Sequence, residues 1–527
     1  MNFNEIKYIR IEKDTFINQF KKLLKTYENS ENIIEKIEII SSINSLYLSY
    51  LNNKRIAEIR NLKNLSDTFY EKEVEYLNKT QIEIDNFFLL FYKKIINNNN
   101  KDELIKHLGK EYFSIIENKV SALQYVSEGL LQKEASYINE YKKQINTKKD
   151  CGDLYINLIN TRNKIAINAG YKNYLEFAYK KNKSSYTISE IHDICKYIKT
   201  NFVNTNLNLQ KIKAHKNGYI DLNISNVNKL FNRIGEIENF NLFIGKFKKG
   251  LETISIDIAH HFEYLYNNDY TDLEHRENKY PVTMNIGLPS LNASFILNSI
   301  GKKGLNAITL CHEIGHAYQS YKSKNKIELS FEYMRPSNDV AEIQACSMEF
   351  FYYDQYQLLF ENNTAIIQFS LFEKILFFII KCCAYEELQR FVYDEKNITK
   401  SKMNNKWLSI RKEYYPYMTN EYFNNDTYYT EGNEWQENFQ LFMNPFNEMS
   451  YTISYIHAIE NWQKFTLNKN ETIANYETLC SLGGSVSYKE ALNILNLSGL
   501  NNESKLKDIS LFIEKELNKL DLSINSF

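Results

Sequence analysis

The sequence predicts a mainly α-helical protein, and three observations carry that prediction. Glycine (16 residues) and proline (5) are scarce in a chain of 527, which disfavours turn-rich β architecture and favours long helices. Apolar side chains recur at threes and fours, as at Val120, Leu123, Val126 and Leu130, with similar patterns around 30–60 and 80–95. One stretch, Tyr280–Pro289 with Asn292–Leu297, instead has the residue types of two short strands around a Gly/Pro turn.

Taken in order, residues 1–180 read as an N-terminal helical lobe and 181–527 as a second, larger lobe. Asn97–Asn100, running into Lys101-Asp102, marks a loop, and Gly170 a helix stop. His260, His261 and His275 read as surface or packing residues. Residues 365–395 form one long buried helix whose apolar run, Ile375–Ile380, is too short to cross a bilayer. A Tyr- and Asn-rich loop follows over 414–434, with Gly432 near its end. No fixed-period repeat is present, so a solenoid is not supported.

The chemistry concentrates between Leu305 and Glu349. His312-Glu313-Ile314-Gly315-His316 puts two histidines four apart on one helix face, so both imidazoles reach a single metal ion. Glu313, one residue round, is placed to take a proton from a water on that metal. Leu305, Ile308, His312, Gly315 and His316 share helical spacing, and Asn306 after Gly304 serves as a cap. A zinc peptidase site needs three protein ligands and one open position. Downstream, Pro336-Ser337-Asn338 reads as a helix start, with Asp339, Glu342 and Glu349 spaced along one face of that helix. Glu342 is assigned as the third ligand, and Glu349 or Asp339 as the acceptor that orients an imidazole N–H.

HEIGHAYQS followed by YMRPSNDVAEIQACSMEF resembles the oligoendopeptidase F and Pz-peptidase branch of the thimet oligopeptidase family of zinc metallopeptidases. The family's third ligand is a Glu in a motif like AEIxSxSMEF, which falls on Glu342. The likeness extends to Arg162…Ala166, Gly170-Tyr171-Lys172-Asn173-Tyr174 and Tyr186. It implies a two-lobed helical fold with a deep cleft and a small β-sheet beside the active site. A strand edge there binds an extended peptide through its main chain, with Asn292, Ala293 and Ser294 as substrate-binding positions. Near the C-terminus the family pattern WxxQxHIFxxPFYYxDY is matched at Trp435, Phe442, Pro445, Phe446 and Tyr451. Its histidine is Gln440 here, and its two tyrosines after Pro-Phe are Asn447 and Glu448. The resemblance assigns the substrate carbonyl to Gln440, which donates through a neutral amide, and the oxyanion to the Tyr451 phenol.

The bulk properties fit that reading. Lys+Arg (64) balances Asp+Glu (65), leaving no electrostatic case for a nucleic-acid partner. Seven cysteines without a CxxC spacing point to reduced thiols in the cytoplasm, and the N-terminus has no apolar signal core. Cys311 and Cys346, near the ligands, read as small buried side chains. The expectation is a cytoplasmic endopeptidase, binding one Zn2+ per chain, that acts on short unfolded peptides and needs no membrane. The alternative, motivated by Gln440, Asn447 and Glu448, is a catalytically weakened zinc-binding relative that captures peptides or serves as a scaffold. The sequence gives no oligomeric state.

Overall fold

A computed structural model describes residues 1–123, 127–144, 149–182, 185–224, 239–299 and 306–524. Val126, Gly304 and Leu305, singled out above, lie outside that set. The described chain is mainly helical with one small sheet, the architecture that the scarcity of glycine and proline implies. It divides into two compact units that interleave in sequence.

The first unit comprises Met1–Val120, Gly235–Glu361 and Ala458–Leu497. Its N-terminal helices, Lys13–Asn29, Ile33–Lys63 and Thr68–Ile96, bury an aromatic-rich core in which Phe20 meets Phe88 edge-on at 5.0 Å. Asp67 caps the third of them, accepting from the Phe69 and Tyr70 amides. The loop after it is short, because Lys101 and Asp102 already belong to the next helix, Lys101–Leu108.

The Gly/Pro stretch forms the sheet. Strand β1 (Thr271–Asp272) runs parallel to β3 (Ala293–Leu297), and β2 (Met284–Leu288) pairs antiparallel with β3 in the register Gly287↔Ser294. The strand order β1-β3-β2 makes β2 an edge strand. A turn at Pro289–Leu291, closed by Asn292 at φ +47°, links β2 to β3. Two-residue β1 was not anticipated; it is too short to show any alternation.

The second unit comprises Ser121–Ile234, Asn362–His457 and Ser498–Phe527. Its centre is the helix Thr364–Asp394, matching the expected 365–395, with Ile375, Leu376, Ile379 and Ile380 fully buried. Among the described residues no helix is long and apolar enough to cross a membrane. Thr187 and Glu190 form a reciprocal capping box at the start of Ile188–Lys216. Gly170, at φ +86°, follows the end of Gly152–Asn168, as its helix-stop reading requires.

Candidate metal centre

Two helices of the first unit build the site. The first, Asn306–Lys322, carries His312, Glu313 and His316; the second, Asn338–Phe351, carries Glu342, Cys346 and Glu349. Asn306 is the first helical residue rather than the cap, and its side-chain amide donates to the Ser299 carbonyl. Ser337 precedes the second helix at φ −53° and ψ 153°, outside helical backbone, as the Pro-Ser-Asn start predicts.

The first helix is buried nearly all round. From Ala307 to Ser320 only Thr309, His312, His316 and Ser320 keep partial exposure, at spacings of three, four and four. The histidines therefore occupy the one open stripe of a helix otherwise sunk in the core. Ile308 and Gly315, placed with them on sequence spacing, are buried instead. Gly315 faces the second helix, where a Cβ would come within 2.7 Å of the Ala345 Cα and 3.1 Å of the Gln344 carbonyl oxygen. Removing that Cβ lets the two backbones close until Glu342 reaches the imidazoles.

His312 Nε2 lies 3.3 Å from Glu342 Oε2, and His316 Nε2 lies 3.7 Å from Glu342 Oε1. The ligand atoms of His312, His316 and Glu342 all fall within 4.8 Å of one another. Glu349, fully buried, sits 2.8 Å from His312 Nδ1. A carboxylate only accepts, so His312 carries a proton on Nδ1, which leaves Nε2, on the Glu342 side, as the ring's ligand atom. Of the two acids proposed for this orienting role, Glu349 is the one against His312.

A second grouping, His312 with Cys346 and Glu349, also comes within ligand distance. It suits a cation less well. Burial pushes the Cys346 thiol up to about 11, with Glu349 adding to the effect against His312, so the sulfur stays protonated. His312 Nδ1 is already turned to Glu349. The His312–His316–Glu342 set keeps both rings partly open to solvent and offers two imidazole nitrogens and one carboxylate. Its Glu342 Oε2 is buried and accepts no hydrogen bond, a lone pair left for a cation. The residues fit zinc.

The charges agree. Burial alone would raise the Glu342 carboxyl, but His316, His312 and Arg335 outweigh it and hold it at about 2. Burial depresses His316 to about 3, with His312 and Arg335 adding to the effect. Burial also opposes protonation of His312, yet its contacts with Cys346, Glu342 and Glu349 keep it well above the usual imidazole range, so a cation at Nε2 would displace a proton. Arg335, from the loop before the second helix, brings Nη2 to 3.4 Å from Glu342 Oε1. Its role was not read from the sequence, where it stood only as part of a quoted motif.

Glu313 is 8 % exposed, and its backbone carbonyl accepts from the Asn285 side chain on β2 at 3.3 Å, tying the edge strand to the histidine helix. Ala293 and Ser294 are buried in the middle strand, while Asn292 holds the turn. His261 is buried and stacks on Tyr321 at 4.3 Å; His260 and His275 are exposed.

Gln440 and Tyr451 belong to the second unit. Gln440 lies in the short helix Phe439–Met443, whose Leu441 and Phe442 carbonyls accept from the fully buried Arg162 guanidinium. The Tyr451 ring is partly exposed and packs against Phe378 at 5.3 Å. Glu448, one of the two departures after Pro-Phe noted above, is buried between Lys381 Nζ and Asn438 Nδ2, each at 2.8 Å. Both carboxylate oxygens are thus engaged within the protein.

Residues 3–123 match the peptidase M3 N-terminal domain, and residues 248–509 match peptidase family M3. No curated protein sequence matches the chain significantly. Among solved structures, PZ peptidase A with an inhibitor is similar over 98 % of this chain and 99 % of its own, with TM-score 0.86 at 22 % identity. A protein assigned as oligoendopeptidase F from Bacillus anthracis str. Ames is similar over 99 % of both chains, with TM-score 0.84 at 21 % identity. A further structure assigned as oligoendopeptidase F, covering 98 % of this chain and 99 % of its own, gives TM-score 0.87 at 21 % identity. The fold is that of the oligoendopeptidase F structures.

Proposed function

The chain belongs to peptidase family M3 and is a metallopeptidase, and from that premise we infer a zinc-dependent endopeptidase that cuts internal bonds of short, unfolded peptides in the cytoplasm. The observation that carries the reading is Glu342 Oε2, buried, without a donor, and facing two imidazoles within ligand distance.

His312, His316 and Glu342 would hold one Zn2+, and Glu349 would keep the His312 ring in its ligating tautomer. Zinc, when bound, supplies Lewis acidity, lowering the pKa of a water and polarising the scissile carbonyl. Glu313, next to the first histidine, takes the proton of the attacking water and returns it to the leaving amine. Edge strand β2, tied to the same helix through Asn285, offers main-chain groups to an extended peptide, a mode that reads backbone more than side chains. The resemblance assigns the Tyr451 phenol and the Gln440 amide to the carbonyl oxygen.

The Lys381–Glu448 pair, its carboxylate buried, favours a second reading, a zinc-binding relative with weakened turnover. Zinc analysis with a quenched-fluorescent peptide library, on wild type and Glu313→Gln, decides between them. Stoichiometric zinc with cleavage that Glu313→Gln abolishes supports the peptidase. Stoichiometric zinc without cleavage supports the weakened relative, and failure to take up zinc rejects both.

A further inference from the structure

One cation held against edge strand β2 has no counter-charge among the described residues. Arg55, on the helix Ile33–Lys63, is half-buried. Its Nη1 donates to the Gly287 carbonyl on edge strand β2 and lies 3.4 Å from the Met334 sulfur. Both partners are neutral. Among the described residues Nε and Nη2 have no acceptor, and no carboxylate lies within ion-pair distance. Glu58, the acid whose charge Arg55 feels, is on the same helix and lies 3.9 Å from Lys54. A guanidinium carries five N–H donors in a fork that matches a carboxylate, so most of this one's capacity is unspent.

Its neighbours share the arrangement. Where a Cβ would stand on Gly287, Arg55 Nη1 and Ser320 Oγ are each 3.3 Å away and Ser294 Oγ is 3.9 Å away. Ser294 Oγ is fully buried and has no hydrogen-bond partner. Ser320 follows His316 by one turn on the open stripe of the histidine helix. Arg335 adjoins Met334 in sequence, its side chain is 60 % exposed, and among the described residues its guanidinium pairs only with Glu342. Its charge is felt at Arg55. If Glu342 binds a cation through Oε2, Arg335 keeps Oε1 alone, and most of its five N–H donors stay unspent.

We propose that Arg55 and Arg335, with Ser320 between β2 and the histidine helix, form a carboxylate-binding subsite that selects peptides bearing negative charge on one side of the cleaved bond. The subsite rests on the peptidase reading above. One helical turn beyond His316 is about 6 Å along the axis, which an extended chain at roughly 3.3 Å per residue spans in two to three residues. The carboxylate taken is thus an Asp or Glu side chain, or the peptide's C-terminus, two or three residues from the scissile bond.

The test uses a fluorogenic peptide series in which one Glu is walked along an otherwise neutral sequence. Each member is paired with its Gln counterpart and made with a free or amidated C-terminus. At one position Glu exceeds Gln by about tenfold or more in kcat/KM, chiefly through KM, if a side chain is read. The free acid exceeds the amide by the same factor if the terminus is read. Arg55→Gln, which keeps a donor for Gly287, and Arg335→Gln each pull that ratio toward one. The same pairs titrated onto Glu313→Gln by fluorescence anisotropy give the matching ratio of dissociation constants without turnover. Equal constants for every pair overturn the subsite, whatever the cleavage assay shows. Absence of cleavage by wild type counts against the peptidase reading alone, and the anisotropy ratio still decides the subsite.

Discussion

Gly315 meets Ala345 backbone to backbone: a Cβ on Gly315 would stand 2.7 Å from the Ala345 Cα, inside any tolerable contact. That approach lets Glu342, one turn before Cys346, face histidines on a different helix. Gly315→Ala forces the helices apart, because backbone cannot yield as a flexible side chain does. Zinc affinity is expected to fall roughly tenfold or more, with a stability loss of about 1–3 kcal/mol from overpacking. Competitive zinc titration and denaturant melts check both; unchanged affinity would mean that the close approach does not set the site.

Glu349 is fully buried and faces His312 Nδ1. Glu349→Gln keeps its size but offers the imidazole a weaker acceptor. Zinc affinity is expected to drop about 10- to 100-fold. The imidazole 15N shifts of His312 in the metal-free protein should change with it. A variant that holds zinc as tightly as wild type would remove Glu349 from the orienting role.

Glu313→Gln should bind zinc as wild type does and lose turnover by about 100-fold or more, since an amide cannot accept and return a proton. Full cleavage by this variant would place the base elsewhere.

Burial depresses His261 to about 4, outweighing Asp257 and a hydrogen bond with Ala317, while an unfolded histidine titrates near 6.5. The native ring is therefore neutral at pH 5, where the unfolded chain binds a proton. Its contribution to stability is complete above pH 6.5 and is lost as pH falls toward 4. Wild type should lose about 2 kcal/mol more than His261→Phe between pH 7 and pH 5. Parallel pH profiles for the two proteins would contradict a neutral buried ring.

Much of the site was legible because its signals are local. HEIGH needs only helical periodicity to put two imidazoles together, and Glu342 and Glu349 needed only a start at Ser337. The partial exposure of His312 and His316 was not legible, since it depends on what covers the rest of the helix. Gly315 reads in sequence as one more member of the histidine stripe; its contact with Ala345 exists only once the second helix has docked. Arg335 and Arg55 reach their places through a loop and a helix far apart in the chain, and spacing says nothing about either. Glu448 stood out as a departure from the family pattern, but its pairing with Lys381 required the packing of Thr364–Asp394.

The central claim is that two imidazoles and the Glu342 carboxylate share one zinc ion. X-ray absorption at the zinc edge, on protein loaded with one equivalent, tests it most directly. The account predicts a light-atom shell at about 2.0–2.2 Å, with imidazole scattering from two histidines and no sulfur. A sulfur at about 2.3 Å would place the ion on the Cys346 side and contradict it.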